Sequence, residues 1–341
     1  MTEMNPRERV MAVMQRDGAP APDRAPCFGV DSTATYEQME ELDARWPEAL
    51  SDPALMAKLA LGAHTVLGFD AVRVPFCQTT EAEALGGTLK GVTGDNVPSV
   101  KPHPTYELGQ PFPIPDDFLS RGRIPATIEA IRILKREVGN RVAVIGGVIG
   151  PFSLTAAVIE ITTALKESWI RPDNLRPVLE ASTEAAIRLA SAFIEAGADI
   201  ICVEDMLATT DMVSPKTFNT LLLSYQQALF EAISVPSVLH ICGDVTPIAG
   251  DMADTGATAL SYEPKSDTAT LRRTVGPDVV LISGADAATT LFTGTPQDVE
   301  AVCLATLEAG ADVVAPGCAV APGTTTENLR AMAAAARKFR R

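Results

Sequence analysis

One phrase recurs three times in this chain: EAGADIICV at Glu195, DTGATALSY at Asp254 and EAGADVVAP at Glu308. Each time a helical stretch stops at a glycine, which tolerates the left-handed backbone of a helix C-terminus, and an apolar, β-branched run follows at once. A helix that hands over directly to a buried strand is the building unit of a parallel sheet with helical crossovers. Five more runs of the same kind, APCFGV at Ala25, DAVRVPF at Asp70, RVAVIGGV at Arg141, SVLHICG at Ser237 and VVLISGA at Val279, bring the strands to eight. Their apolar character is continuous rather than alternating, as in strands covered on both faces. Eight βα units in 341 residues predict an α/β fold, a closed eight-stranded parallel βα barrel that occupies 1–341 as a single domain.

Helix starts are punctuated by a capping side chain ahead of a proline, at Ser51-Asp52-Pro53, Ser214-Pro215, Thr246-Pro247 and Thr295-Pro296. The segment 1–24 carries one more helix, with Asn5 as cap, Pro6 next and Glu8 reaching back, placed to plug or flank the bottom of the barrel. Residues 78–125 break the rhythm. Pro98, Pro102, Pro104, Pro111, Pro113 and Pro115 leave little periodicity there, so this is an excursion between the second strand and its helix, either a lid or binding loop or a packed surface hairpin.

Composition narrows the function. With 28 basic against 43 acidic residues the net charge is −15, which excludes a nucleic-acid binder, because counterion release needs a basic surface. A 46% hydrophobic, 21% charged chain buries a large core. The longest uncharged stretch, 142–159, is interrupted by Gly146, Gly147, Gly150 and Pro151, so it reads as a strand running into a helix, not a membrane span. No basic segment followed by an apolar run opens the sequence, and a cytoplasmic location is expected. Six cysteines in such a chain suggest a metal or a reactive thiol rather than a disulfide scaffold.

Strand alternation places that chemistry. In Val238-Leu239-His240-Ile241-Cys242 the first, third and fifth side chains share one face, and in a barrel they point inward at the C-terminal end, where barrel active sites are built. Cys318 follows the last strand, and Glu263 ends the strand between. One imidazole, two thiols and a carboxylate converging on one mouth make a tetrahedral zinc site with a replaceable fourth position. Cys27, Cys77, Cys202 and Cys303 lie in apolar patterns as core fillers, Cys77 closest to a strand end, while His64 and His103 are expected to face solvent. Asp31, Glu204, Asp205 and Asp286 sit near strand ends, where they hold His240 by its other nitrogen, contact a donor or merely cap helices. Arg73, inside the second strand, needs an anionic substrate group or an ion pair with Glu81 or Glu83.

The order H-x-C, strand-end Glu and distant G-C, with PRERV near the start and FDAVRVPFCQTTEAEALGG after the second strand, resembles the methylcobamide:coenzyme M methyltransferases of the uroporphyrinogen decarboxylase superfamily over essentially the whole chain. The resemblance implies a zinc ion on His240, Cys242 and Cys318, a methylated corrinoid protein as donor partner and coenzyme M as acceptor. A similar order of His-x-Cys, Glu and Cys in cobalamin-independent methionine synthases supports Glu263 as the exchangeable ligand. Zinc would hold the acceptor as thiolate, whereas a free alkanethiol at neutral pH is mostly protonated. Competing readings are another acceptor such as homocysteine, a decarboxylase, and a non-catalytic zinc barrel that binds a corrinoid protein. The thiol trio argues against the decarboxylase, and a strand-mouth site with an exchangeable acid argues against the non-catalytic barrel.

Overall fold

The computed structural model describes residues 3–15, 20–91, 97–101 and 106–339. Its strands are β1 (Ala71–Val74), β2 (Thr88–Lys90), β3 (Ser99–Lys101), β4 (Ala143–Ile149), β5 (Ile200–Glu204), β6 (Ser237–Ile241), β7 (Ala259–Tyr262), β8 (Val280–Ala285) and β9 (Val313–Pro316). Seven of them form one parallel sheet in the order β1-β4-β5-β6-β7-β8-β9, each neighbour following in sequence apart from the inserted β2–β3 pair. A helix separates most successive strands, as the glycine-punctuated handovers require; Gly197, Gly256 and Gly310 all adopt positive φ.

The run at Ala25 departs from expectation. It is not a strand but a single parallel bridge between Cys27 and Val314. Phe28 N–H donates to the Val314 carbonyl at 3.1 Å and Val314 N–H to the Pro26 carbonyl at 3.0 Å, while Asp70 N–H donates to the Cys27 carbonyl at 2.7 Å. The segment therefore touches both edges of the seven-stranded sheet. A regular ladder stops there because Pro26 has no N–H and the Cys27 N–H is taken by the Asp70 carboxylate at 2.9 Å.

Inward-facing side chains such as Ile145, Cys202, Val238, Ile282 and Val313 pack with Phe28 and with Val10, Val13 and Met14 of the helix Pro6–Met14, which plugs one end of the sheet's concave side. Asn5 and Glu8 form the expected capping box. Arg9 fastens this plug, bonded to Asp23 at 2.6 Å and to Asp70 at 2.8 Å; the Arg9 bond holds the Asp23 carboxyl down at about 2. Asp52, Ser214 and Thr295 cap as expected. Thr246 does not; it is the first residue of a short 3-10 turn, and its own N–H is capped by Asp244 at 2.9 Å.

The excursion holds more regular structure than its prolines suggest: a helix Thr80–Ala84, the antiparallel β2–β3 pair and a 3-10 turn before the helix Ile124–Val138. Gly87 allows the entry into β2, since a Cβ there would lie 2.7 Å from both the Ala82 carbonyl and Val100 Cγ1. Val100 and the helix Pro151–Ile159 line a cleft of about 520 Å³ that opens beside Gln78 in the loop after β1. Among the described residues no helix is long and apolar enough to cross a membrane. His64 is half-buried rather than exposed, because its Nδ1 bonds the Phe69 carbonyl at 2.8 Å and closes the turn after its helix. His103 lies outside the described residues.

Candidate metal centre

The alternation along β6 is realised as read: Val238 joins the inner cluster, and Leu239 and Ile241 pack outward under the helices. His240 is fully buried, and Cys242 is the first residue past the strand. Gly243 then turns the chain away with φ 76°; a side chain there would strike Thr209 Oγ1 at 2.5 Å and Asp211 Oδ2 at 2.7 Å. At the end of β9 Gly317 leads into Cys318, and its missing Cβ admits Pro264 Cδ, which would stand only 2.6 Å from such an atom. Both thiols thus sit where a glycine lets two loops close on each other.

The three donors converge. Cys242 Sγ lies 3.5 Å from Cys318 Sγ and 3.5 Å from His240 Nε2, and all three donor atoms are within 4.8 Å of one another. Metal–sulfur bonds of about 2.3 Å and a metal–nitrogen bond of about 2.0 Å at tetrahedral angles set ligand–ligand edges of about 3.5 to 3.8 Å, so this soft, borderline donor set fits zinc. His240 is enclosed while both thiols are half-buried, which leaves one side of the cluster open to the mouth.

The three donors are close enough to shift one another's protonation. The bond from Cys242 pulls the Cys318 thiol down to about 6, with His240 adding to it. The same bond, together with burial, pushes Cys242 upward. Burial alone would lower His240, but Cys318, Asp31 and Glu204 outweigh it and raise its pKa.

His240 is oriented by Ser261, not by any of the four acids considered from the sequence. Its Nδ1 lies 3.0 Å from Ser261 Oγ, and the two residues are register partners on β6 and β7. The acids divide. Asp205 caps the helix Pro151–Ile159 through Ser153 N–H at 2.7 Å, and Asp286 caps the following turn through Thr289 N–H at 2.7 Å. Asp31 and Glu204 instead line the mouth, joined by Gln78, whose Nε2 donates to Asp31 at 3.1 Å and to Glu204 at 2.6 Å. Glu204 is the register partner of His240 on the other side; burial pushes its carboxyl up to about 8 against the pull of Arg73.

Arg73 pairs with Glu204 and the Pro75 carbonyl, not with Glu81 or Glu83. Glu81 accepts the Ile149 N–H at 2.7 Å, and Glu83 pairs with Arg123 at 2.7 Å. A buried guanidinium needs this much compensation, and Gly147 makes room for it, since a Cβ there would meet Arg73 at 2.3 Å. Cys27, Cys202 and Cys303 are fully buried core residues. Cys77, also buried, receives Arg123 at 2.9 Å and stands apart from the cluster. Glu263 is at the mouth but outside the donor cluster, its Oε2 3.3 Å from Lys265 Nζ. Ser261 and Gln78 escaped the sequence reading as site residues. The signal for Ser261 was its place two residues before Glu263 on the inward face of β7.

A parallel βα sheet wrapped round a plugged interior, with its chemistry at the C-terminal strand ends, defines a TIM-barrel-type protein, and the family described as Uroporphyrinogen decarboxylase (URO-D) matches residues 5–339. Among curated proteins, "Methylcobamide:CoM methyltransferase MtaA" of Methanosarcina barkeri is 39% identical over 98% of both chains. "Methylcobamide:CoM methyltransferase MtbA" of Methanosarcina mazei is 35% identical over 100% of both. A solved "methyltransferase from Methanosarcina mazei" superposes with TM-score 0.93 at 37% identity, covering 99% of each chain. The chain belongs to the uroporphyrinogen decarboxylase family and, within it, to the methylcobamide:CoM methyltransferases.

Proposed function

We propose that this enzyme moves a methyl group from a methylcobamide carried on a corrinoid protein to the thiol of coenzyme M, using zinc held by His240, Cys242 and Cys318 with Glu263 as the exchangeable fourth ligand. The observation that carries the reading is the His–Cys–Cys cluster, with ligand-type spacing and an open side at the barrel mouth. When bound, the metal supplies a Lewis acid that keeps a thiol deprotonated at neutral pH. The residues do the rest. Ser261 fixes the ring of His240 so that Nε2 faces the two sulfurs. Glu263 and the incoming thiolate carry the same charge, so one replacing the other leaves the local charge balance unchanged. The thiol proton leaves to water at the open mouth, the sulfur forms its bond to the methyl carbon, and the carbon–cobalt bond breaks with its electron pair staying on cobalt.

We read the 25–30 segment as the eighth stave of the barrel, because its hydrogen bonds reach Val314 on one side and Asp70 on the other. The whole chain is then one catalytic domain. The test is methyl transfer from methylcobalamin by purified protein, with coenzyme M and homocysteine as rival acceptors and zinc measured on the same sample. Transfer to coenzyme M with about one zinc per chain is expected. Faster transfer to homocysteine would reassign the acceptor, and zinc-dependent stability without transfer would favour a binding role.

A further inference from the structure

Residues 263–266 form a turn fastened to both cysteine loops. The Glu263 carbonyl accepts the Ser266 N–H at 3.0 Å. Ser266 Oγ donates to the Gly243 carbonyl at 3.2 Å and accepts the Val245 N–H at 2.9 Å, tying the turn to the loop just after Cys242. On the other side, a Cβ on Gly317 would stand 3.4 Å from Glu263 Cα and 2.6 Å from Pro264 Cδ, so the turn also rests on the residue just before Cys318. With the backbone held from both sides, the freedom left to Glu263 is rotation of its side chain. In this structure the carboxylate lies outside the donor cluster and pairs with Lys265 at 3.3 Å. Asp211 and Asp286, both acidic, also act on Lys265, and Asp211 borders Gly243.

We infer that Lys265 is a positioning residue that receives the Glu263 carboxylate when the substrate thiol occupies the fourth position beside His240, Cys242 and Cys318. This rests on the zinc-site reading above. Without Lys265, a carboxylate leaving the cluster would turn into a rim of like charge formed by Asp211 and Asp286, and would be driven back towards the metal. Lys265 therefore sets how readily Glu263 gives way. Its side chain is largely exposed, so removing it leaves the fold intact and its effect on the exchange is modest.

The test compares the full-length, zinc-loaded protein with its Lys265→Met, Glu263→Gln and double variants. It reads coenzyme M binding, zinc loss to a chelator without thiol, and the zinc ligand shell by X-ray absorption. Lys265→Met should weaken coenzyme M binding by up to about fivefold, slow zinc loss, and keep an oxygen ligand at thiol concentrations that replace it in the unsubstituted protein. In the Glu263→Gln background Lys265→Met should change none of these, because there is no carboxylate to receive. Weaker binding that persists in that background, and that spares the uncharged 2-mercaptoethanol, would overturn the inference by assigning Lys265 to the anionic end of the substrate. Unchanged binding and zinc loss would overturn it too, leaving a surface ion pair. An unsubstituted protein that holds no zinc, or whose ligand shell ignores coenzyme M, refutes the zinc reading itself and this inference with it.

Discussion

His240 Nδ1 and Ser261 Oγ lie 3.0 Å apart on adjacent strands, in register and fully enclosed. The hydroxyl fixes which way the imidazole faces, and so directs Nε2 at the two sulfurs. Replacing Ser261 with Ala should weaken zinc binding by about tenfold to a hundredfold, measured by competition with a chelator, with the circular dichroism spectrum unchanged. Undiminished affinity would mean that packing alone orients the ring.

Cys242 and Cys318 supply both thiols of the cluster. Cys242→Ala and Cys318→Ala should each bring zinc content close to zero after dialysis, by elemental analysis, because only two of the three permanent donors then remain beside the exchangeable Glu263. Full occupancy in both variants would remove the site assignment.

Glu263 is expected to leave during turnover, so Glu263→Gln should reduce zinc retention less than either cysteine change. A loss as large as theirs, in both metal and activity, would make the carboxylate a permanent ligand.

The cleft between Val100 and the helix Pro151–Ile159 opens beside Gln78, which joins the two mouth carboxylates. If a corrinoid protein docks over this side, shortening the β2–β3 hairpin should slow methyl transfer from the protein-bound donor more than from free methylcobalamin, which enters without docking. Equal losses would show that the hairpin shapes the pocket, and no loss would make it a surface ornament. A chain at −15 would repel an equally acidic partner, so a contact patch with fewer carboxylates than the average surface, and only modest salt dependence of the encounter, are expected in the same assay.

The Arg9–Asp23 pair gives the fold a dependence on acid. Because the folded carboxyl is lowered to about 2, below its unfolded value of 3.8, the stability it contributes is complete above that unfolded value and disappears as the pH falls through about 2. Asp23→Asn should therefore lower stability at pH 7, by about 1 to 2 kcal/mol since Arg9 keeps Asp70, and flatten the denaturation midpoint between pH 4 and 2. A variant whose midpoint follows pH as steeply as the parent would assign the acid sensitivity to other groups.

The sequence by itself determined seven of the eight expected strands, the handovers between helix and strand, and the inward placing of His240 and Cys242. Apolar runs after Gly197, Gly256 and Gly310 could only be buried strands, and two-residue alternation put His240 and Cys242 on one inward face. These are local properties, dictated by backbone sterics and by the period of a strand. The tertiary structure decided which side chains meet across strands, since that depends on register and on the space left by glycines far apart in the chain. It gave His240 to Ser261 rather than to an acid, Arg73 to Glu204 rather than to Glu81 or Glu83, and Glu263 to Lys265. It also reduced the first expected strand to one bridge, because the N–H that a ladder at Cys27 would use is bound by the carboxylate of Asp70, a residue 43 positions away.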